Sequence, residues 1–434
     1  MKRSFVLFSF FAVLVLVVSA CGGAATTAAP AATQAPAVAK EPVTIKAMIR
    51  PDEGNNVADY SAKFTAQTGI KVDVTFAAWA EIHDKSVTTM AGGGGGYDIV
   101  FIPSADAAAF QAGGWFENVD DVIPAGERDQ WLKSVVDLYT GPDGHLFAMP
   151  WYSGGAHMAY NKDIIAKAGI DVNAIKTWDD FLAACQVIQD KGAAQWCFTP
   201  SAKYAGEFYF SWGTIALGYG TDFFAADATP LFGDTDGALK AFQFVQDGAK
   251  KKYFDPGGVA MDDYETLIAF GTGNTAFLLN STWSVTQANK PDLSKIPDKV
   301  GIMLIPGSGT AKYAQFMYAG GLGILKTAEH KEEAKQFLKF LTAADAQKDH
   351  AIKGANAPTR VPLFSDPDIP KAWPNFDMLA KQLSYGRFAP TVPFLDEWRR
   401  SALAPAFQDA MADRKTPEEA LKFLTDETAR IRNQ

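Results

Sequence analysis

The chain has 434 residues, 48% of them hydrophobic and 21% charged, and a net charge of −9. That length exceeds what one simple core organises, and the acidic balance argues against a nucleic-acid partner.

The chain opens Met1-Lys2-Arg3, and an unbroken apolar run extends from Phe5 to Val18. A basic start before a run too short for a comfortable membrane span is the layout of a secretory signal peptide. The run ends Val18-Ser19-Ala20-Cys21-Gly22. Small residues before the cut suit a signal peptidase, so residues 1–20 are expected to be removed. A cysteine at the first position after the cut resembles the bacterial lipobox, in which the thiol receives a lipid, and implies that Cys21 is lipidated. Residues 21–41 then form a tether: 22–41 are almost wholly Gly, Ala, Thr, Pro, Gln and Val, with no aromatic residue, a composition that spaces rather than folds. No later stretch is apolar enough to span a membrane.

In the body, Val43–Ile49 reads as a strand, and Arg50-Pro51-Asp52-Glu53-Gly54-Asn55 as a polar loop. A helix opens at Asn56 with Val57, Tyr60 and Phe64 on one face and stops at Gly69. Val72, Val74 and Phe76 alternate as a second strand. A helix from about Ala80 to Met90 is broken by Gly92–Gly96, and Tyr97–Pro103 is a third, continuously apolar strand of the buried parallel kind. The β-α-β-α-β order implies a doubly wound α/β lobe. Farther on, Thr177 caps a helix with Asp180 three residues later. Helices are expected near Asp236–Lys251, Ala328–Leu341 and Thr416–Arg432, the last opening Thr416-Pro417-Glu418-Glu419 with cap, first-turn proline and acidic third position.

Cys185 and Cys197 lie twelve residues apart. In an oxidising compartment they are either a disulfide or two buried thiols, since spacing does not give geometry. None of His83, His145, His157, His330 and His350 forms a His-Glu-x-x-His pair, and no Gly-x-Ser-x-Gly elbow occurs. The glycine run lacks a following Lys-Ser or Lys-Thr, and Tyr97 stands where a dinucleotide fingerprint needs its last glycine. No metal or cofactor site is expected. A carboxylate pair of the glycosidase kind among the 49 acidic residues stays open as the enzymatic alternative, because sequence does not show which acids meet in space.

Several phrases together carry a family resemblance. They are Phe64-Thr65-Ala66-Gln67-Thr68-Gly69-Ile70-Lys71-Val72 with Tyr97-Asp98-Ile99-Val100, and Met158-Ala159-Tyr160-Asn161-Lys162-Asp163 with Thr177-Trp178-Asp179-Asp180-Phe181. To these add Gly320-Gly321-Leu322-Gly323-Ile324, the Lys335–Leu341 helix and Pro358-Thr359-Arg360. In this order the chain resembles the bacterial extracellular solute-binding proteins of the carbohydrate-uptake type, the maltose-binding-protein-like group. The resemblance covers essentially the whole mature chain. It implies a periplasmic-binding-protein-like type II fold, two doubly wound α/β lobes joined by a three-segment hinge. Lobe 1 would comprise 42–152 and 308–356, and lobe 2 would comprise 153–307 and 357–434, with crossings near Pro150–Gly155, Ile302–Gly307 and Gly354–Pro358.

The loop after the first strand offers Arg50, Asp52 and Glu53, whose guanidinium and carboxylates can serve vicinal hydroxyls in both directions. The resemblance places ligand contacts at these three positions. It adds Ser104 and Asp106 after the third strand, although the family's acidic contact aligns nearer Ala105. Trp79 either lines the cleft or packs in the core. From the second lobe the resemblance implies Glu207, Tyr209, Trp212 and Trp283 as acidic and aromatic contacts, with Tyr152 and Ser153 on the cleft floor. A glutamate of the family is replaced by Gly154. Gly320 and Gly321 would admit a ligand close to the backbone, and Arg360 and Arg387 are the remaining cations. Flat rings suit the C–H face of a pyranose, and polar groups suit its hydroxyl edge.

The expected function follows from the resemblance. A monomeric, exported protein, held by lipid at the outer face of the cell membrane or in the periplasm, would deliver a sugar to the permease subunits of an ABC transporter, without chemistry or cofactor. A polyol, a glycerol phosphate ester or another small polar solute is the alternative cargo. A ligand-presenting sensor subunit is the alternative role.

Overall fold

Apolar runs with the strand period build the sheet, and amphipathic runs cover it. The computed structural model describes residues 42–51, 57–203, 210–225, 227–233, 236–373, 375–389 and 392–434. The leader and tether, and the expected helix start at Asn56, lie outside them. Among the described residues the strands are β1 Thr44–Ile49, β2 Lys71–Phe76, β3 Ile99–Pro103, β4 Met149–Asn161, β5 Trp196–Phe198, β6 Thr275–Ser281, β7 Val300–Met303, β8 Gln315–Ile324 and β9 Gly386–Phe388. Their order is β2-β1-β3-β8-β4-β6-β5, with β7 beside β4 and β9 beside β8.

β1 pairs in parallel with β2 and β3, and the helices Val57–Thr68 and Trp79–Ala91 make the crossovers. β8 returns late in the chain to close this half antiparallel to β3. One hydrophobic cluster fills it, including Ile45, Phe64, Phe101, Trp151 and Phe337. A second cluster holds Trp178, Phe181, Phe198, Phe277 and Trp398, and a third, on the other side of β6, holds Leu267, Leu278, Trp373 and Leu379. Each large apolar side chain so buried contributes roughly 1.5–3 kcal/mol. The protein is thus a two-lobed α/β structure.

Two long strands run from one lobe into the other. Residues 149–155 of β4 pair with β8, whereas its residues 156–161 pair with β6 and β7. In β8, Phe316 is buried with Trp178 and Phe277, but Ala319 is buried with Phe101 and Phe337. A third segment lies alongside: the Ser153 N–H donates to Ala357 O at 2.7 Å. The crossing expected near Ile302–Gly307 lies just before β8. The N–H groups of Gly307 and Ser308 are still bonded to Lys176 O and Gly218 O in the second lobe, at 3.0 and 2.7 Å.

Local signals in the sequence become visible bonds. Thr177 and Asp180 form a reciprocal capping box on the helix Trp178–Asp190, as do Thr416 and Glu419 on Pro417–Arg432. The N–H groups of Lys176 and Thr177 hold the Asp180 carboxyl below its usual range. Cys185 and Cys197 are joined in a disulfide, linking that first helix to β5. The helix expected from Ala328 begins instead at Lys331. The buried carboxylate of Asp98 accepts the N–H groups of Glu329 and His330, each at 3.1 Å, and that of Lys46 at 2.9 Å. The same commitment shortens the expected Tyr97–Pro103 strand to start at Ile99. Gly93–Gly96 all have positive φ, 57–92°, a run that residues with a Cβ rarely adopt.

Candidate ligand-binding cleft

The junction of the lobes is floored by rings. Arg50 follows β1 and is only 2% exposed. Its guanidinium lies 4.5 Å from the Tyr152 ring centre and 5.5 Å from that of Trp151, and the two rings supply cation–π stabilisation to a charge placed out of water. Tyr152 on β4 stacks on Phe101 of β3, centres 6.2 Å apart and 7° from parallel. His350 packs 5.0 Å from Trp151. Burial, reinforced by the Arg50 charge, drives its pKa well below the ordinary value, so it is a neutral imidazole.

Tyr318 enters from β8, in register with Gly154 of β4. A Cβ at Gly154 would stand 2.2 Å from the ring of Tyr318. That ring sits between Tyr152, at 6.4 Å, and Phe210, at 5.9 Å. Burial pushes its phenol pKa up to about 12, so the hydroxyl stays protonated and can both donate and accept. The helix Thr282–Gln287 abuts the same strand: the Gly155 N–H donates to Thr282 Oγ1 at 3.0 Å. The next residue, Trp283, is half-buried and stacked on exposed Tyr264, centres 6.3 Å apart.

A cavity of about 390 Å³ opens between the lobes, lined by His83 and Asp84 from the helix Trp79–Ala91 and by Phe394, Asp396, Glu397 and Arg400 from the facing segment. His83 Nδ1 lies 2.9 Å from Asp106 Oδ1 on its own lobe, and Nε2 lies 4.0 Å from Asp396 Oδ2 on the other. Asp396 is gripped by Arg399 at 2.9 Å and Arg400 at 2.7 Å. Burial pushes the Asp396 carboxyl pKa up, but Arg399, Arg400 and His83 together outweigh this and hold it below the usual range.

The expected site residues divide. Arg50, Tyr152, Asp106 and Trp283 stand where the lobes meet, and Ser104 joins β3 to this region through its N–H bond to Ala319 O at 2.9 Å. Asp52, Glu53, Glu207 and Tyr209 lie outside the described residues, as does Cys21. Trp79 begins the helix that carries His83.

The other candidates pack within the chain. Trp212 is a core residue, 1% exposed, packed on Phe242 at 4.8 Å and Phe223 at 5.8 Å. Ser153 is fully buried, with its hydroxyl directed at Pro358 O, 3.2 Å away. Gly320 and Gly321 lie against rings of this chain: a Cβ at Gly320 would meet Tyr152 at 2.3 Å, and one at Gly321 would meet Tyr139 at 2.8 Å. Arg360 lies over the Trp131 ring at 4.4 Å, donates to Thr342 O at 3.0 Å and pairs with Glu127. Arg387 pairs with Asp222 at 2.6 Å.

Tyr318, His83, Asp396 and Arg400 were not singled out by sequence reasoning. Signals for them existed. Tyr318 alternates onto the face of Gly320, and His83 follows Trp79 by one helical turn, as Arg400 follows Asp396.

A two-lobed α/β fold with a polar, aromatic-floored cleft at its junction defines a periplasmic-binding-type solute-binding protein. A model of the bacterial extracellular solute-binding protein family matches residues 27–348, and the chain belongs to that family. It is 28% identical over 291 residues to a mannitol-binding protein of Pseudomonas aeruginosa, a stretch spanning 66% of each. It is 29% identical over 299 residues to an sn-glycerol-3-phosphate-binding periplasmic protein of Agrobacterium fabrum, spanning 62% of this chain and 64% of that protein. The maltose-bound MalE3 of T. maritima has the same fold: TM-score 0.80 at 24% identity, covering 89% of this chain and 99% of that one.

Proposed function

We propose that this protein captures a small, neutral, hydroxyl-rich solute, a sugar or a polyol, between its lobes and hands it unaltered to the permease of an ABC importer. The observation that carries the reading is the cleft floor. We read the guanidinium held over Tyr152, the Tyr318 phenol and the Trp283 indole as the groups that would meet the solute with hydrogen bonds and flat apolar faces. Such a surface matches a polyhydroxylated carbon skeleton, and a site built to bond hydroxyls rejects solutes lacking them. The name of one relative, a mannitol-binding protein, agrees with this chemistry.

An anionic cargo such as a glycerol phosphate ester calls for clustered cations. Arg360 and Arg387 are already engaged with Glu127 and Asp222, which favours a neutral ligand. Asp52, Glu53, Glu207 and Tyr209 neighbour the floor residues in sequence, and we propose them as further polar contacts. Capture proceeds by hinge motion in β4, β8 and the segment at Ala357, because a ligand that touches both lobes stabilises the closed form. Nothing in the cycle calls for catalysis, and one monomer suffices. Residues 1–20 act as a signal peptide, lipid on Cys21 holds the protein at the outer membrane face or in the periplasm, and residues 22–41 space the body from the bilayer.

The test is a thermal-shift panel of sugars, polyols, glycerol phosphate esters, amino acids and peptides. The reading expects stabilisation by at least one sugar or polyol. Stabilisation by another class alone would overturn it.

A further inference from the structure

We infer that His83 on one lobe and Asp396 on the other, steadied by Asp106 and Arg400, form a clasp that favours the closed protein most when His83 carries its proton. The inference rests on the reading that capture closes the lobes, and it assigns a control that acts away from the aromatic floor.

The geometry fixes the roles of the two ring nitrogens. Nδ1 lies 2.9 Å from Asp106 Oδ1, within the same lobe. A neutral imidazole has one N–H. With that hydrogen given to Asp106, Nε2 turns a bare lone pair toward the Asp396 carboxylate 4.0 Å away. Protonation replaces the lone pair with a charged N–H, and the same approach becomes attractive. Phe110 stacks beside the ring, centres 6.1 Å apart, and fixes its plane. Asp396 cannot swing aside easily, because Arg399 and Arg400 hold both of its oxygens.

The carboxylates around His83 favour its proton, against burial and the Arg400 cation. Asp84 comes from its own helix, Asp106 from the loop after β3, and Asp396, Glu397 and Arg400 from the facing segment. The hydrogen bond to Asp106 raises the imidazole pKa above 6.5, burial opposes it, and the charges of Asp106, Asp396 and Asp84 add to the rise. Asp106 and Asp84 act in open and closed forms alike, whereas Asp396 acts only when the lobes meet. Proton affinity is therefore higher in the closed form. Its contribution is fully present below the open-form pKa and is lost as pH rises through the raised closed-form value. Asp396, held below the usual carboxylate range, stays ionised from pH 6 to pH 9.

The experiment compares wild type, His83→Gln and Asp396→Asn at pH 6 and pH 9. Small-angle scattering of the purified, solute-free protein reads closure directly. Titration with D-mannitol and with maltose reads affinity. Wild type should be more compact at pH 6 and bind its solute about two- to fivefold tighter there than at pH 9. Both variants should lose these differences. Asp396→Asn also frees Arg399 and Arg400, so His83→Gln decides if that variant is unstable. An identical radius of gyration at both pH values in wild type, or an undiminished pH effect in His83→Gln, overturns the clasp. If neither probe binds, the choice of cargo is in error, and scattering alone judges the clasp.

Discussion

Tyr318 lies across the backbone of Gly154, its register partner on the neighbouring strand, so closely that a Cβ there would stand 2.2 Å from its ring. An aromatic ring from the adjacent strand occupies the room that a side chain at 154 would need. Gly154→Ala should therefore push Tyr318 out of the cleft floor. Overpacking of this kind costs about 1–3 kcal/mol. Urea unfolding should show that loss, together with weakened solute binding. Wild-type stability and affinity in the variant would mean that the ring yields without consequence.

Trp283 presents a half-buried indole backed by Tyr264. Trp283→Ala should weaken solute binding by about 1–3 kcal/mol, as loss of a stacking anchor does. The melting temperature of the solute-free protein should move less than the affinity, because the half-buried indole packs only on the margin of the third cluster. Calorimetric titration checks the first expectation, and thermal unfolding without solute checks the second.

His157 is fully buried, with Nε2 3.0 Å from Thr282 Oγ1, and burial lowers its pKa from 6.5 to about 3. The unfolded chain binds a proton there near pH 6.5, while the folded chain resists until far lower pH. Its stabilising effect is thus present above pH 6.5 and is lost as pH falls from 6.5 toward 3, at up to about 1.4 kcal/mol per unit. Between pH 7 and pH 5, wild type should lose about 1–2 kcal/mol more stability than His157→Gln. Equal losses in the two proteins would remove His157 from the acid response.

Cys21 follows the small residues of the expected cut. Cys21→Ala should shift the protein from the membrane fraction to the soluble exported fraction, since a single residue carries the acyl chains. Retention on membranes after that change would place the anchor elsewhere.

Much of the fold was legible because its determinants are local. The capping pairs Thr177/Asp180 and Thr416/Glu419 announce helix starts within four residues, and the apolar run ending at Pro103 announces a buried strand. The helix at Lys331 began late because Asp98, more than two hundred residues away in sequence, holds the Glu329 and His330 N–H groups that precede it. The bonds of Gly307 and Ser308 are likewise distant in sequence, made to Lys176 and Gly218. In the cleft, residue type alone could not separate Trp212, sunk in the core, from Trp283 at the junction. Nor could it show that Arg360 is consumed by Trp131 and Glu127. Charge partners and ring neighbours are tertiary facts, and the Tyr318–Gly154 and His83–Asp396 contacts belong to that class.

Small-angle scattering of the protein before and after saturation with the solute that stabilises it, with chemical analysis of the solute recovered on dilution, tests the central claim most directly. A fall in the radius of gyration on binding, reversed on dilution with the solute recovered intact, is the predicted result. An unchanged radius at saturation, or recovery of a cleaved or modified product, would contradict it.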